Sequence, residues 1–448
     1  MIRFPFPEDF LFGAASSACQ LESAPFEGGK GVTNYDNIYA TDPARMKYAD
    51  PAKSADFYYL YRQDIQDMKK LGLKAFRFSI AWARIYPNGP EEVCQAGLDY
   101  YSDMIDALNE AGITAYFDLY HCCIPQWVLD RGGLLNPDFS DWFTSYAKTC
   151  FEVLGQKVAY WTTVNEPNIN CMSAYVNGNA VPSVKDQGQA ILACHNMLLT
   201  HYRVIKLYKS MNLPGKIGAV IHVEPTYSLS NDPKDKEAAD RYFAYYSGWW
   251  LDTMLAGKYP KLMLEEPYIA EKMPENLPKE LAEAFEPMDF VGINLYNPNY
   301  ARYDENEPMR YKTFINEKIP RDDYGFMYYP QGLYDTVMYV HRTYPGIPMM
   351  ITENGISKKK WGNYEEERKD EYRIDYMREH LREASRAIAA GAPLKGYFCW
   401  SVMDTNELRS GGYEQMFGLT QVNYETKERF PRDSWFYYQK VIANCEVD

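Results

Sequence analysis

Two glutamates, Glu166 in Thr163-Val164-Asn165-Glu166-Pro167 and Glu353 in Ile351-Thr352-Glu353-Asn354-Gly355, each close a β-branched, strand-like run. A pair of this kind is what cleavage of a glycosidic bond with retained configuration needs. One carboxylic acid protonates the leaving oxygen, and a second carboxylate about 5–5.5 Å away attacks the anomeric carbon to form a glycosyl ester. Pro167 restricts the residue before it, so Glu166 is expected to be extended and to project from its strand end as acid and then base. Asn354-Gly355 is a turn signal that presents Glu353 at the end of its own strand, as nucleophile. A nucleophilic carboxylate must be ionised. Arg77, inside the apolar run Phe76-Arg77-Phe78-Ser79-Ile80, is expected to keep the pKa of Glu353 low, because an unpaired charge within such a strand is costly. A purely structural ion pair is the competing role for Arg77.

These glutamates lie far apart in the chain, and only a fold that gathers distant strand ends can bring them together. Short apolar or β-branched runs cover residues 11–15, 75–80, 114–119, 160–164, 217–222, 290–295, 349–352 and 396–400, with helical spacing of apolar residues at 61–71, 100–111 and 373–390. Alternating strand and helix predicts a parallel sheet. Eight repeats predict its closure into a (β/α)8 TIM barrel, whose long βα loops build the site at the C-terminal face. No Gly/Ser linker divides the chain, so residues 1–448 are expected to form a single catalytic domain. Residues 24–54 and 299–330 carry charges and prolines with little periodicity. They read as long loops, the second lying beyond the sixth strand, and either pocket walls or solvated insertions.

With 47 basic and 61 acidic residues the net charge is −14, which disfavours nucleic acid or an anionic membrane as partner. A neutral small-molecule carbohydrate fits better. The 40 tyrosines would suit stacking on pyranose faces, although tyrosine is equally at home in cores. Nine cysteines, odd in number and scattered, do not form a disulfide framework and fit a reducing cytosol. The six histidines and nine cysteines show no zinc spacing, and Cys122-Cys123 beside His121 is too crowded for the usual clip, so neither metal nor cofactor is expected. The N-terminal stretch has no charged leader followed by an apolar run, and nothing approaches the roughly 18 apolar residues of a membrane span, so a soluble, cytoplasmic protein is expected. Oligomeric state stays open, a homo-oligomer included.

Beyond the two glutamate motifs, the chain carries Phe4-Pro5-Phe6-Pro7-Glu8-Asp9-Phe10-Leu11-Phe12-Gly13 leading to Gln20, the stretch 76–85, His121, Gly292-Ile293-Asn294-Leu295-Tyr296 and Trp400-Ser401. In these ordered motifs it resembles glycoside hydrolase family 1, the (β/α)8 family of β-glucosidases and 6-phospho-β-glucosidases, over nearly its whole length. The resemblance implies that Gln20 and His121 bind the O3 and O4 region of the sugar and that Asn165 donates to the 2-hydroxyl. It further implies that Tyr296 contacts the nucleophile, that Trp400 is the platform under the glycone, that Glu407 accepts from O4 and O6, and that Asn294 belongs to the substrate-binding set.

Against this background the chain departs from the family at two places. Family members usually have Trp directly after the histidine matched by His121 and directly after the glutamate matched by Glu407. Here these positions are Cys122 and Leu408. A thiol is a weak donor and leucine is none, so plain glucosides are expected to lose about 1–3 kcal/mol of binding, or the freed volume admits a glycone modified near O3, O4 or O6. Ser23, where the family usually shows Gly, reads as a neutral exchange. The 6-phospho branch is a rival reading, in which Arg409 would partly offset the repulsion of a phosphate by Glu407. Transglycosylation through the same glycosyl ester competes with hydrolysis, as does a catalytically weak barrel that only binds glycans.

Overall fold

The computed structural model describes residues 3–47, 49–360, 362–408 and 412–448. Eight parallel strands close into a barrel: β1 (Leu11–Ala15), β2 (Ala75–Ser79), β3 (Thr114–Asp118), β4 (Tyr160–Asn165), β5 (Lys216–His222), β6 (Phe290–Asn294), β7 (Met349–Asn354) and β8 (Leu394–Trp400). Closure runs through β8 and β1, with Gly396 opposite Leu11 and Trp400 opposite Ala15. The eight apolar runs of the sequence are thus the eight barrel strands, each within a few residues of its expected ends.

Strands buried on both faces read as continuous apolar runs, and this barrel shows why. Inside it, Tyr116, Phe290, Met350 and Phe398 are buried. Tyr116 meets the rings of Phe290 and Phe398 edge-on at 5.7 Å each. At Gly13 of β1 a Cβ would stand 2.4 Å from the Phe398 ring, so the aromatic filling requires a bare backbone there. Outside, amphipathic helices such as Phe57–Leu71, Gln95–Glu110 and Glu371–Ala389 turn apolar faces to the barrel, for example through Ile65, Met68 and Leu71. No helix of the described residues is long and apolar enough to cross a membrane.

Against β8 the register of β7 shifts once at the bottom of the barrel, between Met349 and Met350, and the other shifts lie at the top. Between β4 and β5 the register shifts after Thr162, and the next pair is Asn165 with Val220. On β7 it shifts after Ile351 toward both neighbours, with Glu353 opposite Asn294 and Asn354 opposite Cys399. Irregularities of this kind bend a strand and re-aim its side chains. The shifts at the top fall on the two glutamate motifs.

The segment 299–330 is more ordered than the irregular loop its charges suggested. Asn299–Tyr303 and Tyr311–Phe314 form a hairpin that Thr226–Ser228 extends to three strands. Its tyrosines favour strand, and the polar run between the two strands makes the turn, which masked the pattern. Likewise residues 24–54 contain the helix Asn34–Thr41, started by a reciprocal capping box between Thr33 and Asp36.

Candidate active site

Arg77 organises the top of the barrel. Its side chain is wholly buried, and its donors reach three strands. Nε donates to Asp118 Oδ1 at 3.1 Å, one terminal nitrogen to Glu353 Oε1 at 2.6 Å, and the other to Asn165 Oδ1 at 2.7 Å and Asp118 Oδ2 at 2.7 Å. Burial works against the guanidinium charge, yet the carboxylates of Asp118 and Glu353 outweigh it and hold the arginine firmly protonated. A planar fork with five donors suits this role, and a lysine could not span it.

On β7, Glu353 accepts from Arg77 through Oε1 and from the Tyr296 hydroxyl through Oε2 at 2.8 Å. The expectation of a low pKa for this carboxyl needs correction. Burial pushes it above the ordinary carboxylate range by more than Arg77 draws it down, and the charge of Glu166 adds to the rise.

Glu166 corrects a second expectation. It is not extended before Pro167 but left-handed, at φ 47° and ψ 53°, because the register shift at the end of β4 turns the chain directly into the helix Pro167–Cys171. A non-glycine residue in this region carries strain on the order of 1–3 kcal/mol. Its Oε1 accepts from Asn294 Nδ2 at 2.9 Å, and the same amide reaches Asn165 Oδ1 at 3.0 Å. Thr352 donates to Asn294 Oδ1 at 2.8 Å, which fixes the orientation of that amide. Asn294 is fully buried behind the site and orients carboxamide and carboxylate, so its expected direct contact with substrate is not what its position supports.

Gln20, His121, Cys122, Asn165, Glu166, Tyr296, Glu353, Trp400, Glu407 and Leu408 all line one cavity of about 320 Å³, a size usual for small-molecule sites. Arg77 and Asn294 stand behind its wall. Within it, Gln20 donates to Glu407 Oε1 at 3.1 Å and Thr405 to the same oxygen at 2.7 Å. Burial lifts the Glu407 carboxyl to about 7, against the lowering effect of the Thr405 hydrogen bond. The His121 ring lies nearly parallel to Trp400 at 5.9 Å and faces Asp118 at 3.4 Å. Cys122 is left-handed at φ 51°, with its sulfur 3.7 Å from that of Cys19. Leu408 packs in an apolar cluster with Tyr35, Ile38 and Met46. Arg409 lies outside the described residues.

Several residues of the site carried too little signal in the sequence. Asp118 binds both Arg77 and His121, and an acid closing the apolar run of β3 was its only mark. Glu224, which accepts from Tyr242 at 2.7 Å and Asn299 at 2.8 Å, also faces the cavity. Tyr324 and Phe326 come from the expected pocket loop, with Phe326 stacked on Tyr296 at 5.1 Å. Ser23 stands at φ 62°, which explains why glycine is usual at its place.

A parallel (β/α)8 barrel with two carboxylates at its C-terminal face invites comparison with known glycosidases. The family model for glycosyl hydrolase family 1 matches residues 2–447. This chain belongs to glycosyl hydrolase family 1. Beta-glucosidase A of Acetivibrio thermocellus is 36% identical over 450 residues, covering 99% of both chains. A 6-phospho-beta-galactosidase of Clostridium acetobutylicum is 34% identical over 97% of this chain and 96% of its own. The solved family 1 β-glucosidase from Thermotoga maritima superposes with a TM-score of 0.95 at 33% identity, covering 100% of both chains. The family 1 chain described here is accordingly a β-glucosidase-like glycosyl hydrolase.

Proposed function

We propose that this chain, as one catalytic domain, is a retaining β-glycosidase that removes a β-linked glucose-type glycone from a small aglycone or disaccharide by double displacement. The observation that carries the reading is the unequal tethering of two carboxylates on one cavity. Glu353 is tied to Arg77 and Tyr296, which suits a nucleophile that must be ionised and aimed. Glu166 is held at Oε1 by a neutral amide from Asn294, which suits a group that gives up and regains a proton. Asn165 accepts from both Arg77 and Asn294 at Oδ1, so its Nδ2 is turned toward the cavity, where it would donate to the 2-hydroxyl and strengthen that bond in the transition state. Trp400, with His121 stacked beside it, would underlie the sugar ring. The β-glucosidases among the relatives support glucose as the basic glycone.

The relatives also include enzymes for phosphorylated sugars. Glu166, Glu224, Glu353 and Glu407 face the cavity, and among the described residues lining it there is no Lys or Arg. This supports a neutral glycone over a 6-phosphorylated one. The nine unbridged cysteines support action in a reducing compartment such as the cytosol.

The test is proton NMR of 4-nitrophenyl β-glucoside hydrolysis. The β-anomer of the released sugar should appear first, and the α-anomer only by later mutarotation. Initial release of the α-anomer would refute double displacement. Turnover of the Glu353→Gln enzyme at the wild-type rate would remove Glu353 from the mechanism. Products carrying a second sugar in place of water would assign the enzyme to transglycosylation.

A further inference from the structure

Beside the catalytic cavity lies a second one of about 100 Å³. Tyr35, Cys122 and Asn170 line both, so the two abut along these three side chains. The far wall of the second cavity is mainly apolar, with Ile38, Met46, Leu134, Ala174, Ala180 and Val181 among its residues, while Asn34, Arg45 and Asn179 add polar groups to it. Cys122 stands at the junction, and its short side chain leaves open a boundary that an indole at that position would fill. The space would hold about three waters at roughly 30 Å³ each, or a substituent of that size.

We propose that this second cavity is a subsite for a small apolar substituent on O3 of the glycone. The inference rests on the glycosidase reading above and names its substrate class. The choice of oxygen combines the sugar contacts that the family resemblance implies with the place of the second cavity. Gln20 and His121 are assigned to the O3 and O4 side and Glu407 to O4 and O6, while Cys122 adjoins His121 and the second cavity does not reach Glu407. O3 is therefore the hydroxyl nearest the junction. The apolar side chains make up most of the lining, so the substituent is mainly apolar, and the room for about three or four carbon-sized groups fits a short alkyl ether or acyl group better than a second sugar.

The experiment compares kcat/KM for 4-nitrophenyl β-glucoside, its 3-O-, 4-O- and 6-O-propyl ethers and its 3-O-β-glucosyl derivative. Ethers are used because acyl groups migrate between hydroxyls. The 3-O-propyl ether should be cleaved about tenfold better than the 4-O and 6-O ethers. Ala180→Trp, which fills the second cavity from its outer wall, should lower 3-O-propyl cleavage about tenfold and leave the plain glucoside unchanged. Ala174→Phe provides the same test from another wall, and activity on the plain glucoside reports that each variant is folded. Equal cleavage of the three ethers, equal loss on both substrates, or preference for the 3-O-glucosyl derivative would each overturn the subsite. If no glycoside is cleaved, the glycosidase reading fails, and the subsite is then judged by thermal shift. Stronger stabilisation by 3-O-propylglucose than by glucose, abolished in Ala180→Trp, sustains it, and equal stabilisation overturns it.

Discussion

At the scale of single residues, Glu407, which lines the cavity, is expected to connect glycone recognition with stability. Burial moves its carboxyl from 4.5 to about 7, so the folded protein holds this proton more tightly than the unfolded chain does. Between these pH values the folded state binds more protons, and stability falls as pH rises through the window, by roughly 3 kcal/mol in all. Glu407→Gln cannot ionise. It should be more stable than wild type at pH 8, with the difference closing toward pH 4.5, and should bind glucosides more weakly; urea midpoints at the two pH values and KM check both. Arg77 lowers the pKa of Glu353, so Arg77→Lys should move the acid limb of kcat/KM to higher pH and reduce its plateau at least about tenfold. An unchanged limb would leave Arg77 a merely structural partner. Glu166 and Glu353 could be singled out in the chain because each ended a strand-like run, one before Pro167 and the other before the turn signal Asn354-Gly355. Asp118 and Glu224 were not, since an isolated acid has no pattern until the fold supplies Arg77, Tyr242 or Asn299 as its partner.

Elements decide how well these residues are aimed. The tops of β7 and β8 pack so closely that a Cβ on Gly355 would lie 2.0 Å from the Trp400 carbonyl oxygen. Gly355→Ala must therefore displace Trp400 or the end of β7, and should lower stability by about 1–3 kcal/mol and activity more than tenfold. Normal activity with a normal melting temperature would show that the strand ends can separate without harm. The hairpin segment carries Phe326 onto Tyr296. Phe326→Ala should raise KM for aryl glucosides several-fold while leaving the melting temperature unchanged, since the ring is only partly buried. The eight strands could be read in advance because both faces are buried and each run is short, apolar and bounded by turns. The hairpin could not, because a partly solvated edge sheet mixes tyrosines with charges. Nor could the register shifts, which arise from pairing with a neighbour and leave no local trace.

For the whole molecule, the closure of the barrel is secured from outside. The Tyr438 hydroxyl, on the terminal helix Asp433–Asn444, donates to the carbonyls of Gly13 on β1 at 2.9 Å and of Tyr397 on β8 at 3.2 Å. It thus spans the one seam that joins the first strand to the last. Tyr438→Phe leaves two buried carbonyls without this donor and should destabilise the entire fold by about 1–3 kcal/mol, seen as a lower denaturant midpoint in a transition of unchanged slope. No reading of periodicity could have found this bond, which joins residues from opposite ends of the chain. The stability of such a closed barrel is also what tolerates Glu166. At its left-handed backbone, glycine or asparagine would fold with less strain than glutamate. Under the proposed role of Glu166 as acid and base, a lineage released from the need to turn over substrate should therefore replace this glutamate early, since folding alone favours the exchange.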